Sequence, residues 1–591
     1  MKRFKLISST LLPLLFLVGC GQSGNKINSG NNYDNDPVSE ITDDGSSNDF
    51  DSKYIKEAAI EIPSSFDGQN VSTIVSAGKY YLTGDYESIS ITAKKDSVVY
   101  IFLDGINVSS NVGIAFGSEK AITLYLVLMN NKTNSITNDF ADTNAFHVKG
   151  EVHISGSGTL NIESKQKNGL KVSKDLYVSD VSLNVIGANH GVSARSLVSF
   201  DAVINTTAKA KDGIQLECDS DIAAYTDEQG FAYLINTKVT ADTYGDGIQA
   251  STYIYVSGGD YNITTHGEFV SYSTANMTEY GLTTSDFKFI KQNNQYKRVA
   301  TDEIRSLSSS YYALTNSVKG IKVGPIEYNS TEVTTGDYLI YIAHLAKITI
   351  NSTDDCIHAN YGNVDLANSN IVLDTIDDGT HADKELNVND CSIQINSSYE
   401  GLEGKNVIID GNKTNIISNS DDDGINAASD DVAAECNIYI KNGYLRIFAS
   451  GDGVDANAFL YLQGGTVIVE GPGKMNGSLD AERIYFEGGL VFACSSNGMV
   501  EKMTATQNTF IYQGTATLKT NSEISIVDSN KNAIFTYTLK QDCNQIIFSS
   551  SSLELQSTYS IYNGTTSIAS IQMTSSLTKV GSSQGGGGPR P

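Results

Sequence analysis

The 591-residue chain is 40% apolar and 18% charged, with 52 Gly, 7 Pro and no Trp, a composition that excludes a wholly disordered chain. Its 68 acidic and 41 basic residues leave a net charge of −27. That charge repels phosphate and excludes the counterion-releasing contacts of a nucleic-acid binder, and a polyanionic glycan could approach only with cations in between.

At the start, Lys2, Arg3 and Lys5 precede an apolar run from Leu6 to Val18, too short for a membrane span of about 20 residues and typical of an export signal. The run ends in Leu17-Val18-Gly19-Cys20, which resembles a bacterial lipobox. The resemblance implies a lipoprotein signal peptide over 1–20, a lipid on Cys20 and a place on the extracellular face of the cell membrane, held by the lipid alone. Residues 21–55, rich in Asn, Ser, Asp and Gly, read as a flexible tether. Six further cysteines, Cys218, Cys356, Cys391, Cys436, Cys494 and Cys543, are permitted to pair in an exported protein, but they match no zinc spacing and read mainly as small buried side chains.

Between Asn168 and Gly477, within a β-helix domain expected over about 56–498, a short phrase returns: an acidic or polar residue, Gly, an apolar residue, a polar residue, then often Ala. Examples are Asp212-Gly213-Ile214-Gln215, Asp246-Gly247-Ile248-Gln249-Ala250, Asp423-Gly424-Ile425-Asn426-Ala427 and Asp452-Gly453-Val454-Asp455-Ala456. The glycines recur mostly 22 to 24 residues apart, with longer gaps. Between phrases lie β-branched and aromatic alternations such as Tyr253-Ile254-Tyr255-Val256, which favour strands. A unit of about 22 residues with two or three strands is one rung of an all-β, right-handed parallel β-helix, in which each residue pairs with its equivalent one rung on. The gap at about 264–316 holds a tyrosine-rich inserted lobe. Residues 499–580 lack the phrase and keep strand signals, which suits a β-rich cap over the open solenoid end, and 581–591 read as a disordered Gly-rich tail.

Stacking gathers equal rung positions into files. The position before the corner glycine becomes Asp355, Asp378, Glu400, Asp423 and Asp452, and Asp354, Asp377, Asp383, Glu403, Asp421, Asp422, Asp455 and Asp480 crowd the same corners. Two like charges about 5 Å apart cost roughly 0.8 kcal/mol at the dielectric of water and about 3 kcal/mol at an effective value of 20. The expectation is therefore a set of Ca²⁺ ions between rungs, since calcium takes six to eight oxygens. The plainer alternative is a solvated acidic edge whose Asp side chains cap turns. His358 and His381 fall in one file, as a stacked pair or, less simply, as ligands of a transition metal.

The run Lys319-Gly320-Ile321-Lys322, Asp354-Asp355-Cys356-Ile357-His358-Ala359, Asp377-Asp378-Gly379-Thr380-His381-Ala382-Asp383, Glu400-Gly401-Leu402-Glu403-Gly404 and Asp421-Asp422-Asp423-Gly424-Ile425-Asn426-Ala427 resembles a clostridial surface family of carbohydrate-binding β-helices, similar in fold to pectate lyases. The resemblance implies binding of plant cell-wall glycans, acidic ones included, and calcium along the solenoid. Cys356, Thr380, the lobe and an insertion at 325–340 depart from that pattern. A lyase would need a base, for which Lys384 and Lys405 are the candidates, but nearby anions would raise a lysine's pKa and spoil it. Binding is therefore preferred to catalysis, with Tyr461 and Tyr485 as candidate sugar platforms in an outward file. The expected partner is an acidic pectin-type polysaccharide, cellulose, or both, met by a monomer; a structural adhesin without glycan specificity is the third reading.

Overall fold

The computed structural model describes residues 72–581 apart from 280, 285–286, 301–303, 305–309, 430, 432, 472–475 and 497–500. The expected signal peptide, Cys20, the tether and the tail beyond Gly581 lie outside the described residues.

In Thr159–Ser164, Ser182–Gly187 and Val203–Ala208 every second side chain is buried, the period of a strand with one face on a core. These strands pair in parallel and in register, Leu160 with Leu183 and Leu183 with Ile204. The ladder continues through Val239, Tyr261 and Ile348 to Ile371. Repetition of this pattern makes a parallel β-helix of about 17 turns with rungs of about 24 residues, slightly longer than the 22 expected because loops enlarge several rungs.

Each rung contributes to three sheets. One holds the long strands just named, a second holds segments such as Tyr253–Ser257, Leu339–Ala343 and Asn363–Ala367, and a third holds the corner triplets. The triplets Phe146–Val148, Leu170–Val172, Val192–Ala194, Ile214–Leu216, Ile248–Ala250, Ile321–Val323 and Ile357–Ala359 follow one another directly. Their outer residues are buried in one continuous core, where Phe116 and Phe146 stack at 5.0 Å.

The corner glycines owe their place to crowding. Their φ angles are not positive, but a Cβ on Gly424 would lie 2.1 Å from Ile447 Cγ2 and 2.6 Å from the Gly453 carbonyl oxygen. Cys356 occupies the same file with its side chain buried, so a rung can shift locally to admit one small side chain.

The long gap between Thr265 and Lys347 leaves the ladder intact, with Asp260–Thr264 pairing onto Lys347–Asn351, because closing a longer loop adds little entropy cost. The chain it releases folds as an antiparallel sheet of Phe269–Ser273, Phe289–Gln292, Gln295–Arg298 and Ser310–Leu314, with a short helix at Thr274–Glu279. Met277, Phe287, Ile290, Val299, Ile304 and Tyr311 give this lobe its own core. Its hairpin turns at Asn293 and Asn294, both with positive φ, the conformation asparagine tolerates in a two-residue turn. A second insertion forms the hairpin Ile326–Tyr328 with Thr331–Val333.

The last parallel pairing between successive rungs joins Ile484–Phe486 to Met503–Ala505, and within the cap Thr509–Gln513 pairs in parallel with Leu577–Gly581. Beyond it, Cys543–Ser549 runs antiparallel to Leu490–Ser495 and covers the final rung. A separate four-stranded sheet of Glu523–Val527, Ala533–Thr538, Thr558–Asn563 and Thr566–Gln572 completes the cap. The six cysteines in the described residues are free and five are buried; the Cys494 and Cys543 thiols are hydrogen-bonded under the cap.

Candidate functional site

The corner file is a hydrogen-bonded ladder. Gly320 N–H donates to the Asp355 carbonyl, Cys356 to Asp378, Gly379 to Glu400, Gly401 to Asp423 and Gly424 to Asp452. The side chains add a second ladder, in which a corner carboxylate accepts the backbone N–H of its successor. Asp212 accepts from Asp246 at 2.8 Å, Asp355 from Asp378 at 3.1 Å, Asp378 from Glu400 at 3.2 Å, and Asp423 from Asp452 at 2.6 Å. One oxygen of each acid therefore binds the next rung, and the turn-capping role weighed for these residues crosses between rungs. The second oxygens of Asp355 and Asp378 turn to His358 and His381, members of an outward file that reads Gln249, Lys322, His358, His381, Glu403, Asn426, Asp455 and Asp480 in register.

The expectation that the whole column requires divalent ions is corrected by its first half, where side chains of the protein itself supply the positive charge. Lys322 Nζ lies 3.3 Å from Asp246. Lys319 Nζ lies 2.8 Å from Asp354 and 2.7 Å from Asp355. Arg298, delivered by the lobe's hairpin, bridges Asp377 and Asp378 and stacks over Tyr399 at 4.2 Å. Burial disfavours every one of these charges, yet the carboxylates around Lys319 and Arg298 outweigh it and hold both cations more firmly than usual. Asp355, nearly fully buried, is conversely held well below the ordinary carboxylate range against the cost of burial, by Lys319 and His358.

The two imidazoles stack at 4.5 Å and carry different charge. Burial lowers His358 to about 4, so it is neutral, with Nδ1–H donating to Asp355 at 2.5 Å. His381 is also buried, but hydrogen bonds to Asp378, Asp383 and Glu403 outweigh that and raise it well above its ordinary value. Its ring nitrogens reach Glu403 at 2.6 Å and Asp383 at 3.2 Å. Among the described residues, three groupings bring ligand atoms within 4.8 Å: Asp355, His358 and His381; Asp378, His381 and Glu403; and Asp354, Asp355 and Asp377. Lysine, arginine and imidazolium already lie against all three, which fits an internally compensated cluster better than an all-oxygen calcium cage.

The second half of the column differs. Asp355, Asp377 and Asp378 are buried, whereas Asp422, Asp423, Asp452 and Asp455 are partly exposed and Asp421 is exposed. Asp421 pairs with the lobe's Lys297 at 3.3 Å. Burial, then Asp378 and Glu403, push Glu400 well above its usual range, while its carboxylate accepts from Asn426 at 2.8 Å. Burial, then Asp422, Asp455 and Asp452, push Asp423 up to about 9. Asp422, Asp423, Asp452 and Asp455 thus form an all-oxygen, partly exposed donor set, whose mutual repulsion is what a hard divalent cation would relieve, so these four residues fit calcium.

A pH dependence follows for the cation-free protein. Folded Asp423 keeps its proton up to about 9, while in the unfolded chain it loses the proton near an ordinary aspartate's ~3.9, so stability falls as pH rises through that window. The raised His381 loses its contribution in the same direction at high pH, and neutral His358 opposes them only below an ordinary histidine's ~6.5. In chelator, melting is expected to be lower at about pH 8.5 than at about pH 6.5, with the slope reduced in Asp423→Asn. An unchanged slope in that variant would remove Asp423 as its source.

The remaining candidates resolve differently. Lys384 donates to the Gly336 carbonyl at 3.0 Å, so its ammonium is engaged by the 325–340 insertion; Lys405 is half-buried and interacts electrostatically with Cys436. Neither stands in the hydrogen-bonded acid cluster as a general base would. Tyr461 is stacked between Tyr439 at 4.7 Å and Tyr485 at 4.8 Å. Both faces of Tyr461 are thus taken by neighbours, which corrects its reading as a sugar platform, and one face of Tyr485 is covered in the same way, because stacking rungs lays identical aromatics over one another. Arg298 was missed in the sequence, having no spacing to mark it, whereas Lys319 could have been found as a base at an acidic position of the repeated phrase.

A long parallel β-helix with one ionisable corner edge belongs to the solenoid class, whose extended surfaces suit extended ligands. The chain belongs to the family described as carbohydrate-binding domain-containing protein, which matches residues 67–379 and 371–584. Its partner class is accordingly a polysaccharide. Among solved structures the chain is similar to one titled "Structure of the polysaccharide lyase-like protein from C. thermocellum, Gadolinium derivative", at 20% identity and a TM-score of 0.30, covering 34% of this chain and 85% of that one. No curated protein matches the chain.

Proposed function

We propose that this protein is a cell-surface lipoprotein, anchored through Cys20, that binds acidic plant cell-wall polysaccharide of the pectin type through calcium held at the second half of the corner column. The observation that carries the reading is the pair of corner acids Asp423 and Asp452 on successive rungs after buried Glu400, flanked by Asp421, Asp422 and Asp455 on an accessible edge. Calcium there supplies positive charge shared between the protein's carboxylates and those of a uronate chain, removing the repulsion set by the net charge of −27. The protein's own residues fix the spacing, since register places equivalent acids one strand spacing, about 4.8 Å, apart.

Affinity electrophoresis in gels cast with polygalacturonate tests this. Retardation is expected with calcium and lost with chelator, and Asp423→Asn with Asp452→Asn is expected to weaken it at least tenfold, about 1.4 kcal/mol, while changes at Asp43 and Asp44 do nothing. Asparagine keeps an oxygen for the inter-rung hydrogen bond, so the loss reports charge. Absence of retardation by polygalacturonate and by cellulose derivatives alike, with calcium present, defeats the reading in favour of a structural adhesin; release of unsaturated uronate would establish the lyase instead.

A further inference from the structure

A cleft of about 570 Å³ opens on the same corner face ahead of the acidic column, bounded by the corner rungs, the foot of the lobe and the hairpin at 326–333. Its volume falls in the roughly 300–1,000 Å³ range of small-molecule sites. The floor follows the outward file, with Gln215, Gln249 and Lys322 on successive rungs and Asn360 beyond them. Three inter-rung steps make that floor about 14 Å long, room for a short run of sugar rings.

We infer that this cleft is a second saccharide site that takes a short neutral segment or chain end of a polysaccharide. The inference rests on the polysaccharide-binding reading above but uses different residues and no cation. Buried Gln249 Oε1 and Asn360 Oδ1 have no hydrogen-bond partner among the described residues, and both line the cleft. A buried carbonyl oxygen left unpaired is unfavourable, and a sugar hydroxyl in the cleft supplies the missing donor once these partly exposed amides turn toward it. Partly exposed Pro325 adds an apolar patch on the hairpin side, backed by buried Ile326, suited to the C–H face of a sugar ring.

Charge selects against a uronate here. Lys322 is taken up by Asp246 at 3.3 Å and Ser317 at 3.2 Å, while Asp212, Glu217, Glu327 and Glu332 also line the cleft against Lys211. A net acidic lining repels carboxylated sugars and accepts hydroxylated ones. The cleft and the acidic column would thus read different parts of one mixed polymer, and two linked contacts raise avidity beyond either alone.

Calorimetry on the full chain in chelator, with cellohexaose, xylohexaose and mannohexaose as probes, tests the inference. At least one probe is expected to bind without calcium, and Gln249→Ala with Asn360→Ala is expected to weaken it tenfold or more. Glu327→Trp, on the exposed hairpin, is expected to block the cleft without touching the solenoid core, which covers the case in which the double variant misfolds. Polygalacturonate retention with calcium should survive in these variants. Binding of none of the probes, or undiminished binding in Glu327→Trp and the double variant, overturns the cleft while leaving the acidic-column reading intact; loss of polygalacturonate retention in the parent with hexaose binding preserved does the reverse.

Discussion

Arg298→Ala is expected to lower the stability of the lobe and the corner beneath it by about 3–5 kcal/mol, the range for removing one partner of a buried ion pair. The guanidinium bridges Asp377 and Asp378, whose side chains are 4% and 3% exposed, and it covers the Tyr399 ring. Without it, two buried carboxylates face each other one residue apart with their nearest cation gone, and the lobe loses an ionic anchor to the solenoid. Hydrogen exchange should quicken in 289–298 and 377–381 while the distant first rungs stay protected, because a solenoid's contacts are local to neighbouring repeats. Arg298→Lys keeps the charge but loses the planar, stacked geometry and should fall between the two. Calcium should restore part of the loss in the alanine variant, since a divalent ion can then occupy the vacated place between the carboxylates. Identical exchange in variant and parent would show that the lobe is held by other contacts.

Glu470→Ala is expected to cost about 3–5 kcal/mol as well, and to act at the capped end of the solenoid. Glu470 is fully buried at the junction of solenoid and cap. Its carboxylate accepts from the Tyr537 hydroxyl at 2.7 Å, from Lys540 N–H at 2.8 Å and from Gln541 N–H at 2.9 Å. One solenoid side chain thus satisfies three donors of the cap, one on the strand Ala533–Thr538 and two in the loop that follows it. Removing it strands those donors beside Phe492, Phe535 and Tyr537, and the cap should loosen, exposing the strand edge and apolar core of the last rung to aggregation. Glu470→Gln retains an acceptor and should lose less. A variant that melts and resists aggregation as the parent does would mean that the apolar contacts alone hold the cap.

Much of the fold was legible because a β-helix repeats its physics in its sequence. The returning glycine marks a corner where Cβ atoms would meet the next rung, as Gly424 shows, and the alternation around Ile425 and Ala427 marks the core side of a strand. The first rungs carry no such mark: Ala115 and Ala145 replace the corner glycine beside Phe116 and Phe146, so the phrase begins later than the ladder, whose first pairing is Thr73 with Ser90. The lobe could be located from the break in period, but not its contact with the acids, which depends on how an antiparallel hairpin turns back across the corner.

Local chemistry repeated along the chain was enough to set the all-β solenoid, the acidic file and its one-acid-per-rung spacing, because parallel stacking converts sequence period into spatial register. Which charges that file leaves to outside cations was decided only by tertiary structure. Arg298 lies 79 residues from Asp377, and its pairing depends on the path of an insertion, which leaves no period to read; Lys319, 35 residues from Asp354, stands in the repeated phrase, but only the closed rung puts its ammonium between two acids. The same holds for the tyrosine file, where only the stacked geometry reveals that ring faces are spent on one another, and for the cleft, whose walls come from two insertions brought to one face by the rungs between them.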